Sequence, residues 1–149
     1  MPNMPGRILA VDYGKARIGL AISDVMRIVA QSLTVVGRKG KSDEEAATQI
    51  VEIAKDEEVT SIVVGLPVNM DGSVGLRAEE CQRFGQLLAE ASSLPVDFYD
   101  ERLTTVAAKR ALLEADVSRK KRRQVIDSVA ATMLLQSFLE AHSRRSSSQ

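Results

Sequence analysis

Apolar positions in the first 41 residues come in short runs closed by turn formers. Beyond residue 41 they alternate between helical spacing and continuous runs. Arg7 to Val11 closes on Asp12-Tyr13-Gly14, Ile18 to Ile22 closes on Ser23-Asp24, and Ile28 to Val36 closes on the loop 37–41. Runs joined by short Gly-containing turns predict three strands, the first two a hairpin and all three antiparallel. Ser42 and Glu45 then form a capping box, and Ala46, Ala47, Ile50, Val51, Ile53 and Ala54 follow at helical spacing. They predict an amphipathic helix to about Glu58. Ser61 to Leu66, stopped by Pro67, reads as a strand buried on both faces, as in a parallel sheet. After the loop Asn69 to Gly72, a helix over Leu76 to Ala91 puts Cys81, Phe84, Leu87, Leu88 and Ala91 on one stripe. Pro95 to Tyr99 is a short strand, Thr104 to Ala115 and Lys120 to His142 are helices, and Ser143 to Gln149 is a polar tail expected to be disordered.

Three strands followed by alternating helix and strand predict right-handed crossovers and a sheet covered on both faces. The fold class is therefore α/β, a three-layer sandwich with a five-stranded mixed sheet in one domain over residues 1–142. A chain of 149 residues with 44% apolar and 27% charged positions has enough apolar surface for one core, which excludes wholesale disorder. The lone Cys81 excludes an internal disulfide, and no Cys/His cluster has zinc-ligand spacing. With no signal-peptide pattern and no apolar run long enough to span a bilayer, the expected location is the cytoplasm and no membrane partner is expected.

In such a sheet, ligands collect outside the carboxyl ends of the parallel strands. Asp12 ends the first strand, and Asp100 and Glu101 end the last. Asp127, on the final helix, shares a stripe with Ala131, Leu134 and Phe138. A carboxylate on a core-facing stripe is costly unless paired, hydrogen-bonded or metal-bound. Carboxylates converging from separate elements suit hard cations such as Mg²⁺ or Mn²⁺. Taken singly, an acid at a strand end is more often a cap, a turn former or an ion-pair partner; the conjunction of position and face is what points to a site.

The blocks DYGKARIGLAISD at 12–24, VVGLPVNMDGS at 63–73, DERLTT at 100–105 and KKRRQVIDSVAA at 120–131 resemble the signature blocks of the YqgF/RuvX family, in order and spacing over essentially the whole chain. That family belongs to the RNase H-like nucleases and is described as processing pre-16S rRNA, with some members called Holliday junction resolvases. The resemblance implies Asp12, Glu101 and Asp127 as metal-binding catalytic acids, Mg²⁺ or Mn²⁺ as cofactor, and a sheet order 3-2-1-4-5 with strand 2 antiparallel. It implies nucleic acid as partner, with structured RNA favoured, branched DNA as the alternative, and precursor ribosomal particles as a further partner. The sequence leaves open a monomer or a homodimer.

Cations stand where phosphate would lie. Lys15 and Arg17 flank the first turn, Arg102 follows Glu101, and Arg119, Lys120, Lys121, Arg122 and Arg123 open the helix that carries Asp127. A solvated helix terminus accounts equally well for that run, but five cations at a helix start oppose the macrodipole, which favours a binding role. Asn69 and Ser73 are candidate contacts to a substrate backbone, and Tyr13 to one nucleotide. Thr104 and Thr105 read as helix caps, Cys81 as core, and His142 has no catalytic context. Five aromatic residues supply few stacking platforms, so the shape of duplex or junction backbone is the expected recognition mode.

Net charge is zero, 20 basic against 20 acidic residues, but it is a cancellation. Residues 1–41 hold seven basic and two acidic residues, a net +5. Residues 42–101 hold three and fourteen, a net −11, and residues 102–149 hold ten and four, a net +6. If the two middle helices pack away from the site, the protein has a basic face for phosphate and an acidic back. Two other classes remain. Asp12-x-Gly14 before a hairpin resembles the first phosphate loop of actin-like and sugar-kinase-like ATP-binding domains, but those need two such lobes. A catalytically silent nucleic-acid or ribosome-binding module would not need the three acids.

Overall fold

The computed structural model describes residues 5–104 and 119–147, the side chains of 119–127 and 143–147 excepted. Strands β1 (Arg7–Tyr13), β2 (Arg17–Ser23), β3 (Ala30–Gly37), β4 (Val59–Leu66) and β5 (Val96–Asp100) form one sheet in the order β3-β2-β1-β4-β5. β2 is antiparallel to both its neighbours, whereas β1, β4 and β5 run parallel. Helices α1 (Asp43–Asp56), α2 (Leu76–Ser92) and α3 (Arg119–Ser147) complete the layers, with a 3₁₀ turn at Glu101–Leu103. No helix among the described residues is long and apolar enough to cross a membrane.

Side chains alternate across a strand, and the core divides accordingly. Leu9, Val11 and Tyr13 of β1 join Ile62 and Val64 of β4 beneath α1 and α2, where Ile50, Phe84 and Leu88 are buried. Ile8 and Ala10 of β1 join Ala21 and Val63 on the other face, against Ala131, Leu134, Leu135, Phe138 and Leu139 of α3. Each fully buried large side chain contributes about 1.5–3 kcal/mol. Alanines at 10, 21 and 131, none of them exposed, let α3 approach the sheet closely.

Local chemistry explains where each element stops. The capping box of α1 forms: the Ser42 hydroxyl accepts from the Glu45 N–H at 3.1 Å and Glu45 Oε1 accepts from the Ser42 N–H at 3.2 Å, which is worth about 1 kcal/mol. β3 begins at Ala30 instead of Ile28 because Asp24 Oδ1 takes the N–H groups of Ile28 and Val29 at 2.7 and 2.8 Å. Those two residues therefore belong to a turn. Thr104 is extended, and its N–H and hydroxyl both close back on the Glu101 carbonyl, at 3.1 and 2.6 Å, ending the 3₁₀ turn. Thr105 and the remainder of the helix expected from Thr104, residues 105–115, lie outside the described residues. α3 extends to Ser147, past His142 where the apolar pattern ends it.

Candidate active site

Asp12 lies near the end of β1, paired across the hairpin with Gly19, and is half-buried. By alternation it shares the face of Ile8 and Ala10, the face covered by α3. The hairpin that follows is tight: the Gly14 N–H donates to the Arg17 carbonyl at 3.0 Å, and a Cβ on Gly14 would collide with that same oxygen. Only glycine fits there, so Lys15 and Arg17 are held at the sheet end where Asp12 stands.

Val11 pairs with Val64, so the next residue of β4, Gly65, stands beside Asp12. A Cβ on Gly65 would lie 2.8 Å from Glu101 Oε1 and 3.2 Å from Leu134 Cδ2. The missing side chain is therefore the space that the Glu101 carboxylate occupies, between the sheet and α3. Glu101 reaches it because β5 runs parallel to β4, Leu66 opposite Asp100, and the 3₁₀ turn then carries the chain back over the strand ends. The Cys81 thiol registers both acids: burial pushes it up to about 11, and the charges of Glu101 and Asp12 add to the rise.

The third acid, Asp127, lies on α3 one turn before Ala131, which is fully buried against the sheet. Its side chain is outside the described residues, as are those of Lys120, Lys121, Arg122 and Arg123 on the first turns of the same helix. Among the described residues no three metal-ligating side chains converge; Asp12 and Glu101 are the two acids that the described structure brings to one face.

Arg102 does not stand open. Its Nε donates to Asp100 at 3.0 and 3.1 Å and its Nη2 at 2.7 Å, while Nη1 reaches the carbonyls of Asn69 and Met70, both at 3.4 Å. This fork holds the Asp100 carboxyl below the ordinary carboxylate range. Arg102 thereby clasps the end of β5 to the loop after β4. Asn69 serves the same loop: its Nδ2 donates to the Ser73 hydroxyl at 3.0 Å, and the Ser73 N–H and hydroxyl donate to Asp71 Oδ1 at 2.9 and 2.6 Å. Both candidate substrate contacts, Asn69 and Arg102, have partners within the protein and lie at the rim of the carboxylate face.

Tyr13 faces away from Asp12 and is buried, which corrects the expectation that it meets a nucleotide. Its ring stacks on Phe84 at 4.5 Å and under the Arg38 guanidinium at 4.3 Å, and its hydroxyl donates to Asp43 at 2.8 Å. Burial first, then the hydrogen bond to Asp43, raises the phenol to about 12. Arg38, which the apolar pattern leaves in a loop, ties this together: it donates to the Gly14 and Lys15 carbonyls at 2.6 and 3.2 Å, to the Tyr13 hydroxyl at 2.7 Å and to Asp43 at 3.2 Å. It supports the hairpin from behind. The signal for it is strand register, since Arg17 pairs with Gly37 and the next residue must fall against the hairpin tip. α1 and α2, within the acidic stretch 42–101, lie on this opposite face.

A profile described as RuvX, Holliday junction resolvase, matches residues 6–141. A protein of Myxococcus xanthus named "Putative pre-16S rRNA nuclease" is 48% identical over 136 residues, 91% of this chain and 89% of that protein. One of the same name from Pelotomaculum thermopropionicum is 49% identical over 138 residues, 93% of this chain and 89% of its own. Among solved structures, Thermus thermophilus RuvC in complex with a Holliday junction substrate aligns with a TM-score of 0.61 at 14% identity, covering 93% of this chain and 96% of that one. The fowlpox virus Holliday junction resolvase aligns at 0.57 and 13% identity, over 91% and 99% of the two chains. The two alignments show a shared RNase H-like fold.

Proposed function

Because the chain belongs to the RuvX family, we propose that it is a divalent-metal-dependent nuclease that hydrolyses phosphodiester bonds in structured nucleic acid. The favoured substrate is the 5′ end of pre-16S rRNA, within ribosome biogenesis in the cytoplasm, with precursor ribosomal particles as the setting. One observation carries the reading: the Glu101 carboxylate lies over Gly65, whose missing side chain makes room for it, and strand register sets Gly65 beside Asp12. The curated names of relatives that share nearly half their residues with this chain support rRNA as the substrate.

Asp12, Glu101 and Asp127 would hold Mg²⁺ or Mn²⁺; hard carboxylate oxygens suit either ion, and Glu101 sets such oxygens over Gly65 on the face of Asp12. Ions bound there would help activate an attacking water and would stabilise charge at the leaving oxygen. The chain's own part is positional. The β1 register fixes Asp12, the 3₁₀ turn and Thr104 fix Glu101, and Asp127, one turn before Ala131 on α3, would complete the set. Lys15 and Arg17 at the hairpin tip, and Lys120 to Arg123 at the start of α3, orient phosphate without reading sequence. Arg102 and Asn69 shape the rim. The working unit is a single domain over residues 1–142.

A second reading, cleavage of four-way DNA junctions, has the description of the matching family in its favour. Symmetric resolution needs two active sites and therefore a homodimer. A panel of pre-rRNA 5′ leader, single-stranded RNA, duplex DNA and four-way junction, with Mg²⁺ or Mn²⁺ and an Asp12→Asn control, separates the two. Metal-dependent cutting of the leader by a monomer supports the first; paired cuts in the junction by a dimer support the second. No cleavage of any substrate by the native protein removes both.

A further inference from the structure

The loop after β4 is built more firmly than a connection requires. The Gly72 N–H, with Gly72 at φ 88°, donates to the Asn69 carbonyl at 2.8 Å and closes a turn over Met70 and Asp71. The Asn69 N–H donates to the Ser73 carbonyl at 3.0 Å, and the Asn69 and Asp71 side chains are both bonded to Ser73. Arg102 braces the same turn from outside through the carbonyls of Asn69 and Met70. A turn held at this many points cannot fold its tip inward. Its one apolar side chain, Met70, is 93% exposed, the most of any large apolar residue described, and Leu103, two residues beyond Glu101, is 61% exposed.

Isolated exposed apolar side chains are ordinary. Met70 differs in its place, because Arg102, the residue after Glu101, ties its turn to Asp100 at the end of β5, which sets the Met70 turn at the rim of the face that holds Glu101. We propose that Met70 is a wedge that enters the base stack next to the scissile phosphodiester and opens it, so that a paired step is cut as readily as one already unstacked. This rests on the nuclease reading above. A long, flexible thioether can follow the irregular gap between two bases, and apolar wedges at base steps are a recurring device of proteins that bend or open nucleic acid.

The test places 2-aminopurine, which brightens on unstacking, at each position flanking the branch of a four-way DNA junction and the loop of a hairpin RNA. Binding is followed by anisotropy in the Asp12→Asn background, which separates unstacking from cutting. A severalfold rise in fluorescence is expected with Met70 and with Met70→Leu, and no rise with Met70→Ala although the nucleic acid still binds. In the otherwise native protein, Met70→Ala should cut a fully paired substrate about tenfold more slowly while leaving one with a bulged base at the cleavage step unaffected. A rise that persists in Met70→Ala, or no rise in any bound variant, overturns the wedge while leaving the nuclease reading intact. Equal cutting of all naked substrates with loss of binding to precursor particles would make the loop a protein contact and also overturns it. No cutting of any substrate by the native protein removes the nuclease reading and the wedge together.

Discussion

Asp12 and Tyr13 are consecutive on β1 and face opposite ways, and the two sides of the sheet they enter are built to different ends. On the Tyr13 side, the phenol, Arg38 and Asp43 are joined to one another, Phe84 covers the ring, and Arg77 reaches the Tyr13 carbonyl at 3.3 Å. On the Asp12 side the neighbouring strand presents a glycine, the packing residues include three alanines, and a second carboxylate occupies the space. The first side fixes the hairpin. The second sets the Glu101 carboxylate over a glycine, between the sheet and α3, and the network on the first side holds the strand end that both share.

If the division is real, substitutions on the two sides should separate activity from stability. The largest effect is expected at the acids. Asp12→Asn or Glu101→Gln should lower metal-dependent cleavage by more than about a hundredfold, since groups that merely orient metal ligands are already worth roughly 10–100-fold. Thermal unfolding should show the fold retained. Next comes Gly65→Ala, whose methyl group must push aside the Glu101 carboxylate and Leu134. Displacement of about 1 Å at a reacting group costs on the order of a hundredfold in rate, and overpacking costs about 1–3 kcal/mol. This variant should therefore fail in both assays, unlike the acid variants, which lose activity alone.

Tyr13→Phe is the converse case. It keeps the ring on Phe84 and under Arg38 and removes only the hydroxyl, so denaturant unfolding should show a loss of about 0.5–1.5 kcal/mol, with cleavage unchanged. The pH dependence has a definite sign. A phenol raised from 10 to about 12 on folding contributes stability that is fully present below pH 10 and is lost as pH rises toward 12. The stability gap between native and Tyr13→Phe proteins should narrow over that window. The smallest effect belongs to Cys81: a buried thiol pushed up to about 11 should react with a disulfide reagent at pH 8 only after unfolding, and Cys81→Ala should cleave at the native rate.

Both middle helices are legible in the sequence because each rests on a local pattern, and the strand order is legible through the family resemblance. The partners of polar side chains are not, because they are settled between elements. Asp24 shortens β3 by capping residues that are apolar enough to be strand. Tyr13 looks like a nucleotide contact until alternation turns it toward Phe84. Arg102 follows the candidate acid Glu101 and invites a phosphate, yet its fork is closed on Asp100 two residues back. Arg38 carries no motif at all, and strand register alone gives it a role.

The central claim is that a hard divalent cation belongs to the Asp12 face and has no share in the Tyr13 face. Titrating Mn²⁺ into the native, Asp12→Asn and Tyr13→Phe proteins, with free Mn²⁺ followed by its paramagnetic resonance signal, tests it most directly. The account predicts binding weakened by at least about tenfold in Asp12→Asn and unchanged in Tyr13→Phe. Equal binding by the native and Asp12→Asn proteins would contradict it.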